Sequence, residues 1–491
     1  MNNFVVDASL FRANDIRGIA GRDTTPPDEP SSSANSQSNP SLTPLFAYHL
    51  GRALGSLLQR NQQSHVWLCR DARLSSPALH AAISEGLLAT GCSIIDIGIG
   101  PTPLLCHAVA TRPAPYESAH SGVMITASHN PAHHNGFKII VNGKPFFGDD
   151  LSRLQVLIEH KDYVEGAGKH VHVNHQPNYL HDFQQKIGHL GGSTVVLDAA
   201  NGAAGPLAVA ALERVGVDVI PLYCDMDGRF PNHSPDTSDP ANLRSMQARL
   251  QDESATAGIA LDGDGDRVVA ATEHGDLLNA DDLLRIYSQH LLTLSPGAGI
   301  VFDIKTSTFL REHIETLGGH PIMTRSGRSF IQTAMFEHQA SLAGEFSSHF
   351  FFADEWYGTD DGIYAAARLL KICQESGTSL SAFLSQRPAS LTTNEIYLPV
   401  PDADKFDLVN AFTTSCTYDE NITNEANLVT IDGLRIEYPA GWALVRASNT
   451  TAAITLRFEA DTEKMLESLL SLVRRKLAEL SPDLDLSHIT R

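Results

Sequence analysis

The stretch VVLDAANGAAGPLAVAALERVGVDVIPL at positions 195–222 decides the fold. Its apolar start at 195–198 predicts a buried strand, and its alanine-rich middle near 206–215 predicts a helix. Gly216 is the residue type that ends a helix, and the apolar run at 218–222 predicts a second strand. A strand, a connecting helix and a further strand are typical of parallel β-structure in an α/β domain.

The same succession of strand, helix and strand occurs twice more along the chain. Its members are the strand 66–69, the helix near 77–90 and the strand 93–97 in one copy, and the strand 300–303, the helix near 308–317 and the strand 321–323 in the other. Three units of one design indicate three related α/β domains, because an internal repeat is typical of duplicated supersecondary structure. Helix-connected strands within each domain are expected to be parallel.

The rhythm of the sequence changes beyond about residue 391. The predicted elements there are strands at 395–400, 434–438, 443–446 and 453–459, followed by an amphipathic helix at 463–479. We therefore predict three related α/β domains with helix-flanked mixed sheets and a smaller C-terminal α+β domain. The predicted domains are 1–173, 174–276, 277–388 and 389–491.

Two segments do not fit this pattern. Positions 23–44 are dominated by Pro, Ser, Asn, Thr and Gln, so we expect a disordered surface insertion that cannot bury enough apolar area. Positions 166–179 are similar to a linker and contain His170, His172 and His175. These histidines could bind a metal ion, but an exposed edge or linker is the favoured interpretation.

Composition and charge exclude several classes of protein. The chain has 491 residues, of which 42% are hydrophobic and 19% charged, as in ordinary globular proteins. No apolar run approaches the roughly 20 residues that a membrane helix needs. The start of the chain has no secretory signal pattern and the six cysteines form no Cys-x-x-Cys pair, so we expect a cytoplasmic protein. A net charge of −21 argues against a nucleic-acid partner, and an enzyme for anionic substrates must then gather its cations locally.

The sequence TASHNP at 126–131 follows the apolar run 122–125, which predicts a buried strand. Ser128 would then lie in a loop at the end of a parallel strand, where α/β proteins place their chemistry. A serine that only caps a turn is the commoner case. A serine hydrolase is a further alternative, but the chain contains no Gly-x-Ser-x-Gly motif. Lys138 follows closely and could pair with an anionic group on the serine or move a proton.

The sequence DGDGDR at 262–267 follows another predicted strand. Asp262, Asp264 and Asp266 repel one another unless a cation lies between them, and the intervening glycines allow a tight turn. Hard oxygen ligands favour Mg²⁺. A calcium-binding EF-hand is disfavoured, because Arg267 stands where that motif needs glycine and the following residues predict a strand.

Two later loops carry polar residues that suit a sugar phosphate. In GEFSSH at 344–349, Glu345 can accept from sugar hydroxyls, Ser347 can donate or accept, and His349 titrates near neutral pH. In RASNTT at 446–451, a guanidinium, hydroxyls and an amide form a set suited to phosphate. Each loop alone is a weak signal, and a polar turn between strands explains the second equally well.

Together these loops resemble the α-D-phosphohexomutase superfamily, and within it the bacterial phosphomannomutase/phosphoglucomutase group. The resemblance runs through nearly the whole chain apart from 23–44. The motifs that carry it are FRANDIRG at 11–18, TASHNP at 126–131, NGFK at 135–138, DGDGDR at 262–267, FDIK at 302–305, GEFSSH at 344–349, DDGIYAAAR at 360–368, RASNTT at 446–451 and LRFEA at 456–460.

The resemblance implies four domains around a central cleft and a reversible transfer between the 1- and 6-positions of a hexose phosphate, mannose or glucose. It implies that a phosphoserine transfers the group through a hexose 1,6-bisphosphate intermediate. Its implied catalytic residues are Ser128, Lys138, His349 and Arg267, and its implied Mg²⁺ ligands are Ser128, Asp262, Asp264 and Asp266. Its implied substrate-binding residues are Asn14, Arg17, His129, Lys305, Arg328, Glu345, Ser347, His349, Arg446, Ser448, Asn449 and Thr450. Mg²⁺, glucose 1,6-bisphosphate as activator and a monomeric assembly are further implications.

The chain departs from the family pattern at positions near the implied cleft. The family often has Tyr in place of Asn14, Thr-Gly-His-Ser in place of 326–329, and Met and Gly in place of Phe346 and Ser348. We therefore expect changes in substrate preference or turnover. Phosphoglucosamine mutase is an alternative, although its loop typically has Gln in place of Phe346. A catalytically weak relative that binds sugar phosphates is another.

Overall fold

The computed structural model of the chain describes residues 6–20, 41–449 and 451–490. In that part of the chain the strands form four sheets that follow one another along the sequence. The three strand–helix–strand units predicted from the sequence are present, and each pairs its two strands in parallel. The prediction of three related α/β units and a smaller C-terminal domain is confirmed.

The first sheet is mixed and has seven strands. They are β1 (Ile16–Ile19), β2 (His65–Arg70), β3 (Ser93–Ile99), β4 (Gly122–Ile125), β5 (His134–Val141), β6 (Lys144–Pro145) and β7 (His170–His172). The accompanying helices are α1 (Pro44–Arg60), α2 (Ser76–Leu88), α3 (Thr102–Thr111) and α4 (Asp149–His160). The strand order is β1-β5-β4-β2-β3-β7, with β6 paired to β5. Strands β4, β2, β3 and β7 are parallel, and β5 is antiparallel to both of its long neighbours.

The second sheet has five strands in the order β12-β11-β10-β8-β9. They are β8 (Thr194–Asp198), β9 (Asp218–Leu222), β10 (Ala257–Leu261), β11 (Val268–Ala271) and β12 (Leu277–Leu278). The helices of this region are α5 (Gln176–Ile187), α6 (Gly205–Arg214) and α7 (Arg244–Glu253). The turn between the antiparallel strands β10 and β11 is the predicted aspartate loop.

The third sheet has the order β14-β13-β15-β16. Its strands are β13 (Gly299–Asp303), β14 (His320–Thr324), β15 (Leu342–Gly344) and β16 (Phe350–Phe352). Its helices are α8 (Ala280–Leu294), α9 (Thr308–Thr316), α10 (Arg328–Glu337), α11 (Gly362–Ser376) and α12 (Leu380–Leu384). Because β13, β14 and β15 are parallel, the loops at their carboxyl ends lie at one edge of the sheet.

The fourth sheet is antiparallel throughout. Its strands are β17 (Leu391–Thr392), β18 (Ile396–Pro399), β19 (Asn427–Val429), β20 (Leu434–Tyr438), β21 (Gly441–Ala447) and β22 (Ala453–Ala460). Its helices are α13 (Lys405–Thr417), α14 (Glu420–Thr423) and α15 (Glu463–Leu480). Among the helices of the described chain, none combines the length and the apolar character that a membrane crossing requires.

The end of the expected insertion at 23–44 is ordered. Positions 23–40 lie outside the described residues. Leu42 is buried in the core of the first domain, and the Thr43 hydroxyl accepts a hydrogen bond from the Phe46 N–H at the start of α1. The predicted insertion is therefore wrong for positions 41–44, because the Leu42 side chain joins the core and Thr43 caps a helix.

The linker-like stretch 166–179 is also structured. It contains the edge strand β7 and the first turn of α5, where Tyr179 is fully buried. His175 is buried too, and only His170 and His172 lie on the exposed strand. The favoured interpretation of an exposed edge or linker is confirmed for His170 and His172, and it is wrong for His175 and Tyr179, which are buried. A strand of three residues has too short a period to be recognised from the sequence.

Polar side chains, of which His107 and His175 are buried, join α3, α5 and the loop before α11. His107 Nδ1 lies 2.8 Å from His175 Nε2, and His107 Nε2 lies 3.2 Å from Asp182 Oδ2. The Tyr357 hydroxyl donates to the same Asp182 oxygen at 2.7 Å. This network connects helices of the first two domains with a loop of the third.

Replacing His175 with Gln should make the protein less sensitive to acid. Burial, and then the neighbouring His107, lower the pKa of His175 from 6.5 to about 3. Below pH 6.5 the imidazole of His175 is protonated in the unfolded chain but stays neutral in the folded chain. Its contribution to the free energy of unfolding is therefore fully present above pH 6.5 and is lost as the pH falls toward 3. Urea unfolding at pH 7.5 and pH 5 should show that the wild type loses about 2 kcal/mol more than the variant. Equal losses would contradict this account.

Candidate active site

Ser128 lies in the loop after β4. Its side chain is buried, and its Oγ donates a hydrogen bond to Asp262 Oδ2 at 2.7 Å. Its φ is +52°, a left-handed conformation that costs a non-glycine residue roughly 1–2 kcal/mol. Strained backbone of this kind persists where the surroundings impose it, often at functional sites. The loop thus aims one serine hydroxyl at the aspartate loop of the second domain.

Arg73 holds the serine loop in place, and sequence reasoning missed it. Its guanidinium donates to the carbonyl oxygens of Ser128 and Asn130 at 2.7 Å each and to that of Pro131 at 2.5 Å. Asp71 accepts from the Nε of Arg73 at 3.0 Å and fixes its orientation. The signal in the sequence was an Asp-x-Arg directly after β2, at the same sheet edge as Ser128.

The aspartate loop brings three carboxylates together in the interior. Asp262, Asp264 and Asp266 are fully buried, and one oxygen of each lies within 4.8 Å of the others. A Cβ atom at Gly263 would come 2.5 Å from the carbonyl oxygen of Ser128, so only glycine allows the two loops to approach this closely.

The donor set of this cluster fits a divalent cation. Burial, together with Asp264 and Asp266, raises the pKa of Asp262 well above its ordinary value. Lys138 Nζ lies 2.7 Å from Asp264 Oδ2 and also contacts Asp266. Arg267 Nε and Arg328 Nε lie farther away, 3.8 Å from Asp262 Oδ2 and 3.9 Å from Asp266 Oδ2. Within the described residues, Asp264 Oδ1 is a buried oxygen with no hydrogen-bond partner. Clustered and buried carboxylate oxygens suit Mg²⁺.

His349 and Arg328 converge on Asp360, a residue to which the sequence assigned no role. Arg267 Nε donates to His349 Nε2 at 3.1 Å, and His349 Nδ1 lies 3.0 Å from Asp360 Oδ2. The Arg328 guanidinium binds Asp360 in bidentate fashion, with Nη2 donating to Oδ1 at 2.6 Å. Arg328 is therefore committed to a buried carboxylate as well as lining the cleft.

Replacing Arg328 with Ala should destabilise the protein by about 3 kcal/mol, because fully buried Asp360 would keep its charge with one partner fewer. Arg153 is a matched control, since its side chain is 72% exposed in a surface ion pair, and its replacement with Ala should cost well under 1 kcal/mol. Urea unfolding of both variants measures the difference. Equal stabilities of the two variants would show that the Arg328–Asp360 pair does not stabilise the fold.

The loop after β15 keeps its tight turn despite the departure at Ser348. The Ser348 N–H donates to the Glu345 carbonyl at 2.9 Å, and Ser348 has a φ of +71°, the conformation for which glycine is suited. His349 is therefore positioned by a serine that tolerates backbone strain. Glu345 is buried and accepts from the Ser326 hydroxyl at 3.3 Å, while Ser347 lines the cleft.

Lys305 lies between carboxylates and an aromatic ring. Its Nζ is 3.5 Å from Glu395 Oε1 and 3.9 Å from Asp303 Oδ2. The same atom is 5.4 Å from the centre of the Phe346 ring. Phe346, which replaces the typical Met, thus contacts a cation of the cleft wall.

Arg446 connects the fourth domain to the third. Its Nε donates to Asp432 Oδ2 at 3.0 Å, and the same oxygen accepts from the Ser326 N–H at 3.1 Å. Asn449 Nδ2 donates to the Ser326 carbonyl at 3.4 Å. Asp432 was missed from the sequence, because nothing in the surrounding residues marks it as a partner of the guanidinium.

Lys405, a further residue that was not predicted from the sequence, stabilises the turn that contains Ser448. Lys405 Nζ donates to the carbonyl oxygens of Ser448 and Thr451 at 2.6 and 2.9 Å. The Thr451 N–H donates to Ser448 Oγ at 3.1 Å. Thr450, a predicted phosphate ligand, lies outside the described residues.

The N-terminal motif lies against the serine loop. Arg17 donates to Asn130 Oδ1 at 3.0 Å and to Asp15 Oδ2 at 2.5 Å. His129 Nδ1 is 3.2 Å from Ser128 Oγ, and burial, then Arg267 and Arg17, lower the pKa of His129 well below its ordinary value.

Asn14, which replaces the typical Tyr, packs against the loop before α10. A Cβ atom at Gly327 would lie 2.9 Å from Asn14 Nδ2, so the amide is in contact with the backbone there. Asn14 Oδ1 is buried and has no hydrogen-bond partner among the residues that the structure describes. The residue therefore presents an unused acceptor where the family often has an aromatic ring.

Loops from all four domains line one cleft of about 600 Å³. Within the described chain the lining includes every predicted catalytic and substrate-binding residue. Among the described residues, seven cations and four carboxylates line it: Arg12, Arg17, Lys138, Arg267, Lys305, Arg328 and Arg446, and Asp15, Asp236, Glu345 and Glu395. A protein of net charge −21 has thus concentrated positive charge where an anion would bind.

Family models match the chain in four successive segments. They are described as phosphoglucomutase/phosphomannomutase α/β/α domain I at residues 8–165, domain II at 171–275, domain III at 279–391 and the C-terminal domain at 395–476. The four segments together span most of the 491 residues and follow the order of the four sheets.

Individual proteins resemble the chain over nearly its whole length. Phosphomannomutase/phosphoglucomutase from Pseudomonas aeruginosa is 40% identical over 97% of both chains. Phosphoglucomutase from Neisseria meningitidis is 36% identical over 94% of this chain and 95% of its own. The crystal structure of a phosphoglucomutase/phosphomannomutase family protein from Burkholderia thailandensis is 34% identical, with a TM-score of 0.89 over 98% of this chain and 99% of that one.

Proposed function

Because the chain belongs to the phosphoglucomutase/phosphomannomutase family, we propose that Ser128 carries the phosphoryl group that the enzyme transfers. The enzyme is an isomerase that moves a phosphoryl group between the 1- and 6-positions of a hexose phosphate. The observation that carries the proposal is the 2.7 Å contact between Ser128 Oγ and Asp262, at the base of a cation-lined cleft.

The proposed reaction has two transfers that balance each other. In the first, the Oγ–phosphorus bond of phosphorylated Ser128 breaks as an oxygen–phosphorus bond forms to the free hydroxyl of a hexose 1- or 6-phosphate. The product is a hexose 1,6-bisphosphate, which turns around in the cleft. In the second, the other phosphate returns to Ser128, so the enzyme regains the group that it gave. Glucose 1,6-bisphosphate would act as activator by restoring phosphate to an empty serine.

Each transfer takes a proton from the attacking hydroxyl and returns one to the leaving oxygen. Burial disfavours charge on Lys138, but Asp264 and Asp266 outweigh it and raise the pKa of this lysine above its ordinary value. A lysine held in its charged form suits the neutralisation of phosphate oxygens, and its raised pKa means that it has no lone pair with which to accept a proton. Between the two proposed acid/base residues we therefore favour His349 as the acceptor, at its Nε2 atom beside Arg267.

The aspartate loop is the proposed Mg²⁺ site. Asp262, Asp264, Asp266 and an oxygen on Ser128 would hold the ion, and their buried oxygen atoms fit its preference. When bound, Mg²⁺ would offset the negative charge that develops on the transferring phosphoryl group. Gly263 contributes by allowing the two loops to touch.

The remaining lining residues would bind and orient the substrate. We propose that Glu345, Ser347 and His349 accept or donate to sugar hydroxyls. The phosphate that is not transferred would lie near the turn 446–451, whose proposed ligands are Arg446, Ser448, Asn449 and Thr450. Additional positive charge or hydrogen bonds would come from Asn14, Arg17, His129, Lys305 and Arg328. Arg328 can offer the substrate only those N–H groups that do not bind Asp360.

We propose glucose and mannose phosphates as the substrates. The enzyme must bind one sugar in two orientations, so we expect it to bind equatorial hydroxyls that occupy similar positions in both. Contacts of this kind discriminate only weakly between the two configurations at C2. Phe346 offers an apolar ring at the position where phosphoglucosamine mutases typically have Gln, so the aminosugar is the weaker alternative. The domain boundaries 173/174, 276/277 and 388/389, the monomeric state and the cytoplasmic location remain predictions.

An assay with three substrates tests this function. The purified protein, with Mg²⁺ and catalytic glucose 1,6-bisphosphate, is given glucose 1-phosphate, mannose 1-phosphate or glucosamine 1-phosphate, and formation of the 6-phosphate is followed. We expect comparable kcat/KM for the first two and a much lower value for the third. A preference for glucosamine 1-phosphate would favour the alternative activity, and turnover of none would leave only a binding function.

A further inference from the structure

Three histidines surround one buried carboxylate in the first domain, at a place that the reaction does not use. His80 Nε2, His170 Nε2 and His172 Nδ1 lie 3.2, 3.1 and 3.2 Å from the same atom, Asp96 Oδ2. Within the described residues, none of these four belongs to the lining of the cleft. Their side chains form a cluster of nitrogen donors around one oxygen.

The fold brings these residues together in a defined way. Strand β7 pairs in parallel with β3 so that His172 is opposite Asp96 and His170 is opposite Ile94. Side chains two positions apart on a strand share a face, so His170 and His172 both lie on the face that carries Asp96. Helix α2 packs against β3 and supplies His80. Three separate elements therefore converge on the cluster.

We propose that Asp96, His170 and His172 form a second metal site, which binds zinc. Their nearest ligand atoms lie within 4.8 Å of one another. Zinc takes imidazole nitrogen and carboxylate oxygen at about 2.0–2.2 Å, so neighbouring ligands of a tetrahedral ion are roughly 3.3 Å apart. The separations of 3.1 and 3.2 Å between Asp96 Oδ2 and the two imidazole nitrogens match that spacing.

The carboxylate is already oriented for this task. Asp96 is buried, and its other oxygen, Oδ1, accepts from the Gly98 N–H at 2.8 Å. Oδ2 is thereby directed toward the imidazoles. His80 approaches the same oxygen from α2 and acts as a positioning residue, as the partners of metal ligands commonly do.

The cluster is open to solvent on one side. The side chain of His172 is 76% exposed and that of His170 is 29% exposed, whereas that of Asp96 is 2% exposed. A zinc ion could therefore enter without any rearrangement of the core, and water would complete its coordination. The chemistry also separates this site from the aspartate loop, since that loop offers only oxygen ligands and favours Mg²⁺.

The site lies where a bound ion would join two strands of the first sheet. Strand β7 has three residues, all of them exposed, at the edge of the first sheet. It lies at the passage from the first to the second family segment, which end and begin at residues 165 and 171. A zinc ion shared by β3 and β7 would fasten this passage to the first sheet.

Zinc binding in the presence of excess Mg²⁺ tests the proposal, because the magnesium occupies the aspartate loop. The wild type, His170→Ala/His172→Ala and the control His338→Ala are titrated with Zn²⁺ against a chromogenic chelator. His338 is an exposed histidine after α10. We expect one tight zinc equivalent in the wild type and the control, and at least a 100-fold loss of affinity in the double variant. Mutase activity with Mg²⁺ should be unchanged in all three.

X-ray absorption at the zinc edge identifies the ligands directly. The wild type should show the scattering of two imidazoles, which oxygen ligands alone cannot give. The single variant His172→Ala alters only an exposed side chain, so it tests the proposal even if the double variant folds poorly. Its zinc affinity should fall by about 10- to 100-fold. Undiminished zinc affinity in the variants, or a spectrum of oxygen ligands only, would overturn the proposal.

Discussion

Replacing Ser128 with Ala should reduce mutase activity by about 10⁴-fold or more, the scale on which loss of a covalent nucleophile acts. The substitution removes the oxygen that would hold the phosphoryl group between the two transfers. It also removes the hydrogen bond to Asp262, while the loop keeps its bonds from Arg73 to the backbone. The variant should therefore remain folded and still bind hexose phosphate, and steady-state assays with glucose 1-phosphate would measure the loss.

Two control experiments test whether the loss of activity is specific to the Ser128 hydroxyl. The surface variant Ser152→Ala on α4 should retain full activity, because that serine is exposed and distant in the sequence from every cleft loop. Calorimetric titration of Ser128→Ala with glucose 1,6-bisphosphate should show binding close to that of the wild type. A variant that keeps more than about one hundredth of the wild-type activity would place the phosphoryl carrier elsewhere.

Removal of the divalent cation should cause the largest loss of mutase activity after Ser128→Ala. We expect a chelator to lower activity by about 10³-fold or more, and Mg²⁺ to restore it, because the metal's contribution to phosphoryl transfer amounts to several kcal/mol. Asp264→Asn should act in the same direction, since it removes one of three buried carboxylates that would hold the ion. Its half-activating Mg²⁺ concentration should rise by about 10- to 100-fold.

Asp225→Asn is the matched control for this experiment. Asp225 is an exposed aspartate of the same domain, so it should leave the Mg²⁺ dependence unchanged. An enzyme that works equally well after exhaustive removal of metal would contradict the proposed role of the aspartate loop. Equal Mg²⁺ dependence of Asp264→Asn and the wild type would show that the ion binds elsewhere.

Much of the fold could be predicted from the sequence because the repeated units have strong periodicity. The predicted helix at 463–479 corresponds to α15, Glu463–Leu480, and the predicted strands before the serine and aspartate loops correspond to β4 and β10. Apolar runs that end in a polar motif reveal both the strand and the position of its loop. The family resemblance, rather than the periodicity, implied that Ser128 and the three aspartates are neighbours, and Ser128 Oγ lies 2.7 Å from Asp262 Oδ2.

The residues that support the loops could not be found in this way. Arg73 bonds to residues 55 and 57 positions away, and Lys405 bonds to a carbonyl 43 positions away. A single charged residue in a loop has no periodicity that reveals its partner. Asp360 was within a motif of the family resemblance, but only the structure shows it bound to Arg328 and His349.

The departures from the family pattern also needed the structure. Ser348 replaces a typical glycine next to His349, yet it adopts a φ of +71° and the turn is retained. The resemblance implied that Arg328 binds substrate, and the structure shows that its guanidinium also binds Asp360. Whether a serine adopts a left-handed conformation, and which carboxylate a guanidinium binds, depends on neighbours that are distant in the sequence.

Mass spectrometry of the wild-type protein tests the central claim most directly. The protein is incubated with glucose 1,6-bisphosphate, freed of ligand and digested, and the peptide that contains Ser128 is examined before and after addition of a hexose 6-phosphate. We predict one phosphoryl group on Ser128 that disappears when the hexose phosphate is added, with formation of the bisphosphate. A protein that turns over substrate while Ser128 never carries phosphate would contradict the account.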